Sequence, residues 1–217
     1  MSAQEIDWYF DVISPFAYLQ WAQRHQFAAQ ARLRPLPIVL GALLSHWEQK
    51  GPAEIPPKRL HTYRRCQWYA GQLGIPFRFP PAHPFNPIAA LRLIVACGAS
   101  EQAVDVVLGA VFAEGRDVAD ITVLEELGSI LGVDDVAAAI SQPEVKAQLR
   151  ANTDAAIARG LFGVPTAAVG GELFWGEDST KMLLDYLANP ALFSGAEMER
   201  LRDLPAGVQR DVGKKAG

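Results

Sequence analysis

Ser14 and Pro15 stand where two kinds of sequence meet. Before them runs Ile6-Asp7-Trp8-Tyr9-Phe10-Asp11-Val12-Ile13, rich in aromatic and β-branched residues; after them, from Phe16 to Ala29, apolar residues recur at helical spacing. At such a junction Ser14 reads as a helix N-cap and Pro15 as the first helical residue. A helix N-terminus carries unpaired N–H groups and roughly half a positive charge, so it favours an anion, and a thiolate is one such anion. A redox protein of this design carries Cys-x-x-Cys at this place, whereas this chain has Ser14-Pro15-Phe16-Ala17. Capping alone accounts for a lone Ser-Pro pair. Val164-Pro165-Thr166, far along the chain, is the kind of segment that forms the second wall of a thiol site.

Composition narrows the partner. The chain has 217 residues, 50% of them hydrophobic, and can bury a substantial core. A net charge of −4 and a pI near 5.6 leave no electrostatic footprint for nucleic acid, and no lysine–arginine block suggests a membrane-surface helix. A small-molecule partner is therefore expected. The acidic start Met1-Ser2-Ala3-Gln4-Glu5-Ile6-Asp7 lacks the pattern of a signal peptide, and no apolar run approaches a membrane span, so a cytoplasmic protein is expected. Cys66 and Cys97, 31 positions apart, form neither a redox pair nor a zinc spacing, and read as inert thiols. His25, His46, His61 and His83 show no ligand spacing; no metal is expected.

The elements that must position Ser14 follow from pattern. Residues 33–40 alternate as a second strand, with Pro35 and Pro37 pointing to a sheet edge. From Gly41 to Gly160 the chain reads as helix, broken at Gly51-Pro52, at Pro56-Pro57 and over the proline-rich stretch 75–87. Asn86 is expected to cap a helix beginning at Pro87, Ser100 the next, and Thr122-x-x-Glu125 and Ser141-x-x-Glu144 match capping boxes. Val104, Val107, Leu108, Val111 and Phe112 mark a buried helical face. Strand character returns at Thr166, turns at Gly170-Gly171 and resumes at Glu172, after which Asp178 is expected to cap a last helix. This order, β-α-β, helices, β-β-α, is that of an α/β thioredoxin-like fold with a large all-helical insertion. The thioredoxin-like part is placed at 1–40 and 161–190, the insertion at 41–160 and a polar, loosely held tail at 191–217.

With these residues on the page, the chain resembles the 2-hydroxychromene-2-carboxylate isomerase family, DsbA-like relatives of the kappa-class glutathione transferases. The likeness covers roughly residues 5–190. It rests on the order and spacing of Tyr9-Phe-Asp-Val-Ile-Ser-Pro-Phe-Ala-Tyr-Leu, Pro57-Lys58-Arg59, His83-Pro-Phe-Asn-Pro with Leu91-Arg92, Gly163-Val-Pro-Thr and Glu172-Leu-Phe-Trp-Gly-Glu-Asp.

The resemblance implies a glutathione-dependent cis–trans isomerisation between 2-hydroxychromene-2-carboxylate and trans-o-hydroxybenzylidenepyruvate, in the breakdown of naphthalene-type aromatics. In this reading Ser14 hydrogen-bonds a glutathione thiolate that adds reversibly to the conjugated alkene. Val164-Pro165 is implied to have a cis peptide, with the Val164 backbone pairing with the glutathione main chain like an added strand. Asp178 and Ser179 are implied at the γ-glutamyl end, and Lys58, Asn86 and Arg92 at the substrate. A homodimer is the family-like expectation. Trp47, Trp68, Tyr69 and Phe85 offer aromatic surface, although at helical spacing they read as core. The glutathione-holding residues do not separate an isomerase from a kappa-like transferase or peroxidase acting on other electrophiles. A non-catalytic glutathione-binding module is a third reading.

Overall fold

The computed structural model describes residues 4–208. The run before Ser14 forms strand β1 (Gln4–Phe10), followed by helix α1 (Pro15–Ala22), a 3-10 turn (Arg24–Phe27) and β2 (Ala31–Pro37). Seven helices follow: α2 (Leu40–His46), α3 (Pro56–Leu73), α4 (Ile88–Ala96), α5 (Glu101–Phe112), α6 (Ile121–Ile130), α7 (Val136–Ser141) and α8 (Pro143–Ala158). The hairpin β3 (Thr166–Val169) and β4 (Glu172–Trp175) then leads through a 3-10 turn (Glu177–Ser179) into α9 (Thr180–Ala188) and α10 (Ala196–Arg202). The helical insertion thus lies between the second and third strands of a thioredoxin-like sheet.

The sheet order is β2-β1-β3-β4, with β1 parallel to β2 and antiparallel to β3. β2 lies at the edge, where Pro35 and Pro37, which lack a donor, need satisfy a neighbour on one side only. Alternation along β1 splits its side chains between two faces. Ile6, Trp8 and Phe10 enter the larger core, where Trp8 stacks on Phe10 and Trp21 at 4.6 and 4.8 Å between centroids. Helices of the insertion share that core through Leu91, Val107 and Phe112. Tyr9 faces the other side and meets Ile38, Leu43, Ala156 and Leu161 under α2 and α8.

Several local expectations change. The second strand begins at Ala31 rather than Leu33, and Pro56-Pro57 opens α3 rather than breaking it. The first helix stops at Ala22, after which the chain tightens into the 3-10 turn. Ser100 does cap α5, accepting from Ala103 N at 3.3 Å. Neither capping box forms. Asp120 is the cap of α6, its carboxylate accepting from Thr122 N at 2.9 Å, so Thr122 already lies inside the helix. Ser141 is the last residue of α7, and α8 starts at Pro143 without a side-chain cap. The segment after residue 190 is anchored further than expected: Phe193 stacks on Tyr186 at 5.5 Å and α10 follows; positions 209–217 of the expected tail lie outside the described residues.

If Asp120 carries the cap, Asp120→Ala lowers stability by about 1 kcal/mol in chemical denaturation, whereas Thr122→Ala stays within roughly 0.5 kcal/mol of the parent protein.

Candidate functional site

Ser14 lies at the start of α1 as its sequence context requires: extended backbone, Pro15 at the first helical position, and Oγ accepting from Ala17 N at 3.3 Å. It is 6% exposed. Pro15 has no N–H, and among the described residues the Phe16 N–H finds no acceptor, so the α1 terminus retains an open donor beside Ser14. The pairing of Tyr9 with Thr166 brings Val164-Pro165 against this terminus. The Val164-Pro165 peptide is cis, and the Ser14 hydroxyl reaches the Val164 carbonyl at 3.5 Å across 150 positions of sequence. The Val164 N–H has no hydrogen-bond acceptor among the described residues, while the Pro165 carbonyl accepts from Gly176 N at 2.8 Å. A Cβ on Gly163 would collide with the Trp175 indole, so a larger residue here would have to displace that half-exposed ring.

The third wall is the segment 176–180, fastened to α1 by buried glutamine. Gln20, 1% exposed, accepts from Trp8 Nε1 at 2.7 Å and donates to Thr180 Oγ1 at 3.1 Å and the Gly176 carbonyl at 3.3 Å. Asp178 is not the cap of α9. Residues 177–179 already turn as a 3-10 helix, so its side chain does not reach the first amides of α9, and it pairs instead with Arg65 at 3.6 Å. Ser179 likewise turns back, donating to the Gly176 carbonyl at 2.8 Å. Arg65 lies 5.2 Å over the Phe16 ring and so joins Asp178 to the first turn of α1. Sequence reasoning missed Arg65; the available signal was its place seven residues after Lys58, two turns along one face of α3.

The three residues expected at the substrate are not joined to Ser14 by any hydrogen bond or ion pair among the described residues. Lys58 is exposed in the first turn of α3. Asn86 is exposed, and its side chain accepts from Ile88 N at 3.1 Å, one residue later than expected because α4 begins at Ile88. Arg92 is half-buried on α4, its Nε without a hydrogen-bond partner among the described residues. Trp68 and Trp47 are 63% and 44% exposed rather than core, and Trp47 Nε1 donates to the Leu161 carbonyl. Burial pushes the Cys66 thiol up to about 12 and also raises Cys97, so neither is a ready thiolate.

With a helix N-terminus, a serine where a redox cysteine would stand and a cis-proline wall in place, the whole chain is comparable with known proteins. A model described as DSBA-like thioredoxin domain matches residues 5–188. The chain belongs to that family. Within it, the chain is similar to a 2-hydroxychromene-2-carboxylate isomerase of Pseudomonas putida, 34% identical over 82% of this chain and 91% of the relative. It is similar also to glutathione S-transferase kappa 2 of Caenorhabditis elegans, 28% identical over 90% of this chain and 96% of the relative. A solved 2-hydroxychromene-2-carboxylate isomerase superposes with a TM-score of 0.75 at 25% identity, covering 94% of this chain and all of that one. No helix among the described residues is long and apolar enough to cross a membrane.

One further group of this DSBA-like chain lies at the site. Asp11 is fully buried without an ion pair among the described residues; its carboxylate accepts from Ile13 N at 3.0 Å and Leu40 N at 2.8 Å. Burial outweighs those two bonds and raises its pKa to about 7. The folded chain therefore keeps a proton that an unfolded aspartate releases near 3.8, and loses stability as pH rises through that window, by about 4 kcal/mol across it. Asp11→Asn, which never ionises, lacks this dependence. Denaturation of both proteins at about pH 4 and about pH 8 should show the parent losing stability relative to the variant; parallel behaviour would mean that folding leaves the Asp11 pKa unshifted.

Proposed function

We propose that this protein is a glutathione-dependent cis–trans isomerase interconverting 2-hydroxychromene-2-carboxylate and trans-o-hydroxybenzylidenepyruvate. The observation that carries the reading is the buried Ser14 at a helix N-terminus, opposite a cis Val164-Pro165, in a chain 34% identical to an isomerase of that name. Isomerisation needs no net redox change, which suits a site with no cysteine at positions 14 or 17.

Glutathione, when bound, supplies a thiolate that adds reversibly to the conjugated alkene, allows rotation about the resulting single bond and leaves again. The chain's own groups favour the ionised thiol: the Ser14 hydroxyl turns from the Val164 carbonyl to donate to sulfur, and the unpaired Phe16 N–H and the α1 dipole add to it. The open Val164 N–H and its carbonyl suit an added strand. Asp178 and Ser179 are assigned to the ammonium and carboxylate of the γ-glutamyl end, with Arg65 orienting Asp178. Lys58, Asn86 and Arg92 are assigned to the substrate's carboxylate and polar groups, and the protein to a homodimer.

A second reading, a kappa-like transferase or peroxidase, is supported by the transferase relative, whose alignment covers more of this chain. The two share the thiolate and differ in the electrophile.

Purified protein mixed with 2-hydroxychromene-2-carboxylate should convert it only when glutathione is present, and Ser14→Ala should lower turnover about 10- to 100-fold, the worth of a charge-assisted hydrogen bond. Glutathione binding without conversion moves the assignment to the transferase. Full turnover in Ser14→Ala removes the serine from the mechanism.

A further inference from the structure

The peptide unit joining Ile13 to Ser14 is held at both of its polar ends. Its N–H, on Ser14, donates to the Asp11 carbonyl at 3.0 Å. Its carbonyl, on Ile13, lies 2.7 Å from His83 Nε2. A carbonyl only accepts, so His83 Nε2 carries the proton and donates. The preceding peptide is held as well, through Ile13 N–H to Asp11 Oδ1 at 3.0 Å. A peptide unit is planar, so fixing its C=O and N–H fixes where the Ser14 Cα lies, and the Oγ carried on it is then oriented by the bond it accepts from Ala17 N at 3.3 Å.

His83 is not part of the thioredoxin-like sheet or of α1. It comes from the loop between α3 and α4, inside the helical insertion. Its own orientation is set by the Tyr63 hydroxyl, 2.7 Å from both Nδ1 and the His83 carbonyl, and by a cage of Tyr63, Phe79, Phe85 and Phe112 with ring centroids 5.2 to 6.3 Å away. Burial lowers its pKa, which keeps the ring neutral near pH 7, with Nδ1 unprotonated and sharing the one Tyr63 hydroxyl proton with the His83 carbonyl.

We propose that His83 is a positioning residue for Ser14: by donating to the Ile13 carbonyl it lets the helical insertion set the geometry of the thiol-binding helix terminus. This rests on the proposed role of Ser14 and assigns the insertion a part in activating the thiol as well as in shaping a substrate pocket.

His83→Phe keeps an aromatic ring in the aromatic cage but has no donor, leaving the Ile13 carbonyl unpaired; His83→Gln restores an N–H at comparable reach. The readout is the pKa of the thiol of protein-bound glutathione, followed by thiolate ultraviolet absorbance, together with kcat and KM for the isomerisation. His83→Phe should raise that thiol pKa by about one unit and lower kcat about tenfold near neutral pH, with His83→Gln returning most of both. Tyr63→Phe, which takes the hydroxyl away from Nδ1 and from the His83 carbonyl but leaves the Nε2 donor in place, should shift the thiol pKa the same way by less, and serves if His83→Phe does not fold. An unchanged thiol pKa and kcat in a folded His83→Phe, or in Tyr63→Phe if that variant alone folds, would overturn the proposal, even if stability fell. If glutathione bound to the parent protein titrates like free glutathione, the failure belongs to the Ser14 reading instead.

Discussion

The antiparallel pairing of β1 with β3 is the constraint on which the rest of the site depends. Tyr9 opposite Thr166 and Asp7 opposite Ala168 put the end of β1 next to the start of β3, and so place Ser14 beside Val164-Pro165 despite their separation in sequence. Because β1 is central and both its faces are buried, a slip of one residue would exchange Trp8 and Tyr9 between two differently shaped cores. The register is therefore enforced by packing on both sides of the sheet, and the site inherits that rigidity.

Buried polar side chains then carry the arrangement outward from the sheet. Gln20 ties β1, α1 and the 176–180 segment through three hydrogen bonds, none of which solvent can easily replace at 1% exposure. Asp11 joins the Ser14 turn to the first residue of α2. Tyr18 adds a bond from its hydroxyl to the Pro76 carbonyl at 2.7 Å, fastening the proline-rich stretch to α1. Leaving any of these groups unpaired in the interior costs more than the bond itself contributes, so they specify geometry as much as they stabilise it. The α1 terminus is thus supported from the insertion and from the sheet.

Much of the fold was legible in local pattern. The β1–α1 junction, the Ser14 cap, the α5 face and the Gly170-Gly171 hairpin depend on residues within a turn or two of one another. The capping boxes at Thr122 and Ser141 misled because a residue two positions away, Asp120 in one case and Pro143 in the other, set the helix start instead. At Asp178 the tertiary fold decided: the chain entered a 3-10 turn before α9, and Arg65 offered the carboxylate a partner from another helix. Trp47 and Trp68 misled for a related reason, since helical spacing alone does not say how much of α2 and α3 the rest of the chain covers.

By itself the sequence determined the order of elements, the helix terminus at Ser14 and the lack of a redox cysteine there, because strand and helix periods and end-caps are short-range properties of the chain. Only the tertiary structure decided what surrounds that serine. The Ser14 contact with the Val164 carbonyl, the Arg65–Asp178 pair and the His83 bond to Ile13 join residues 70 to 150 positions apart. Such contacts follow from strand register and from how helices pack, which no local spacing encodes.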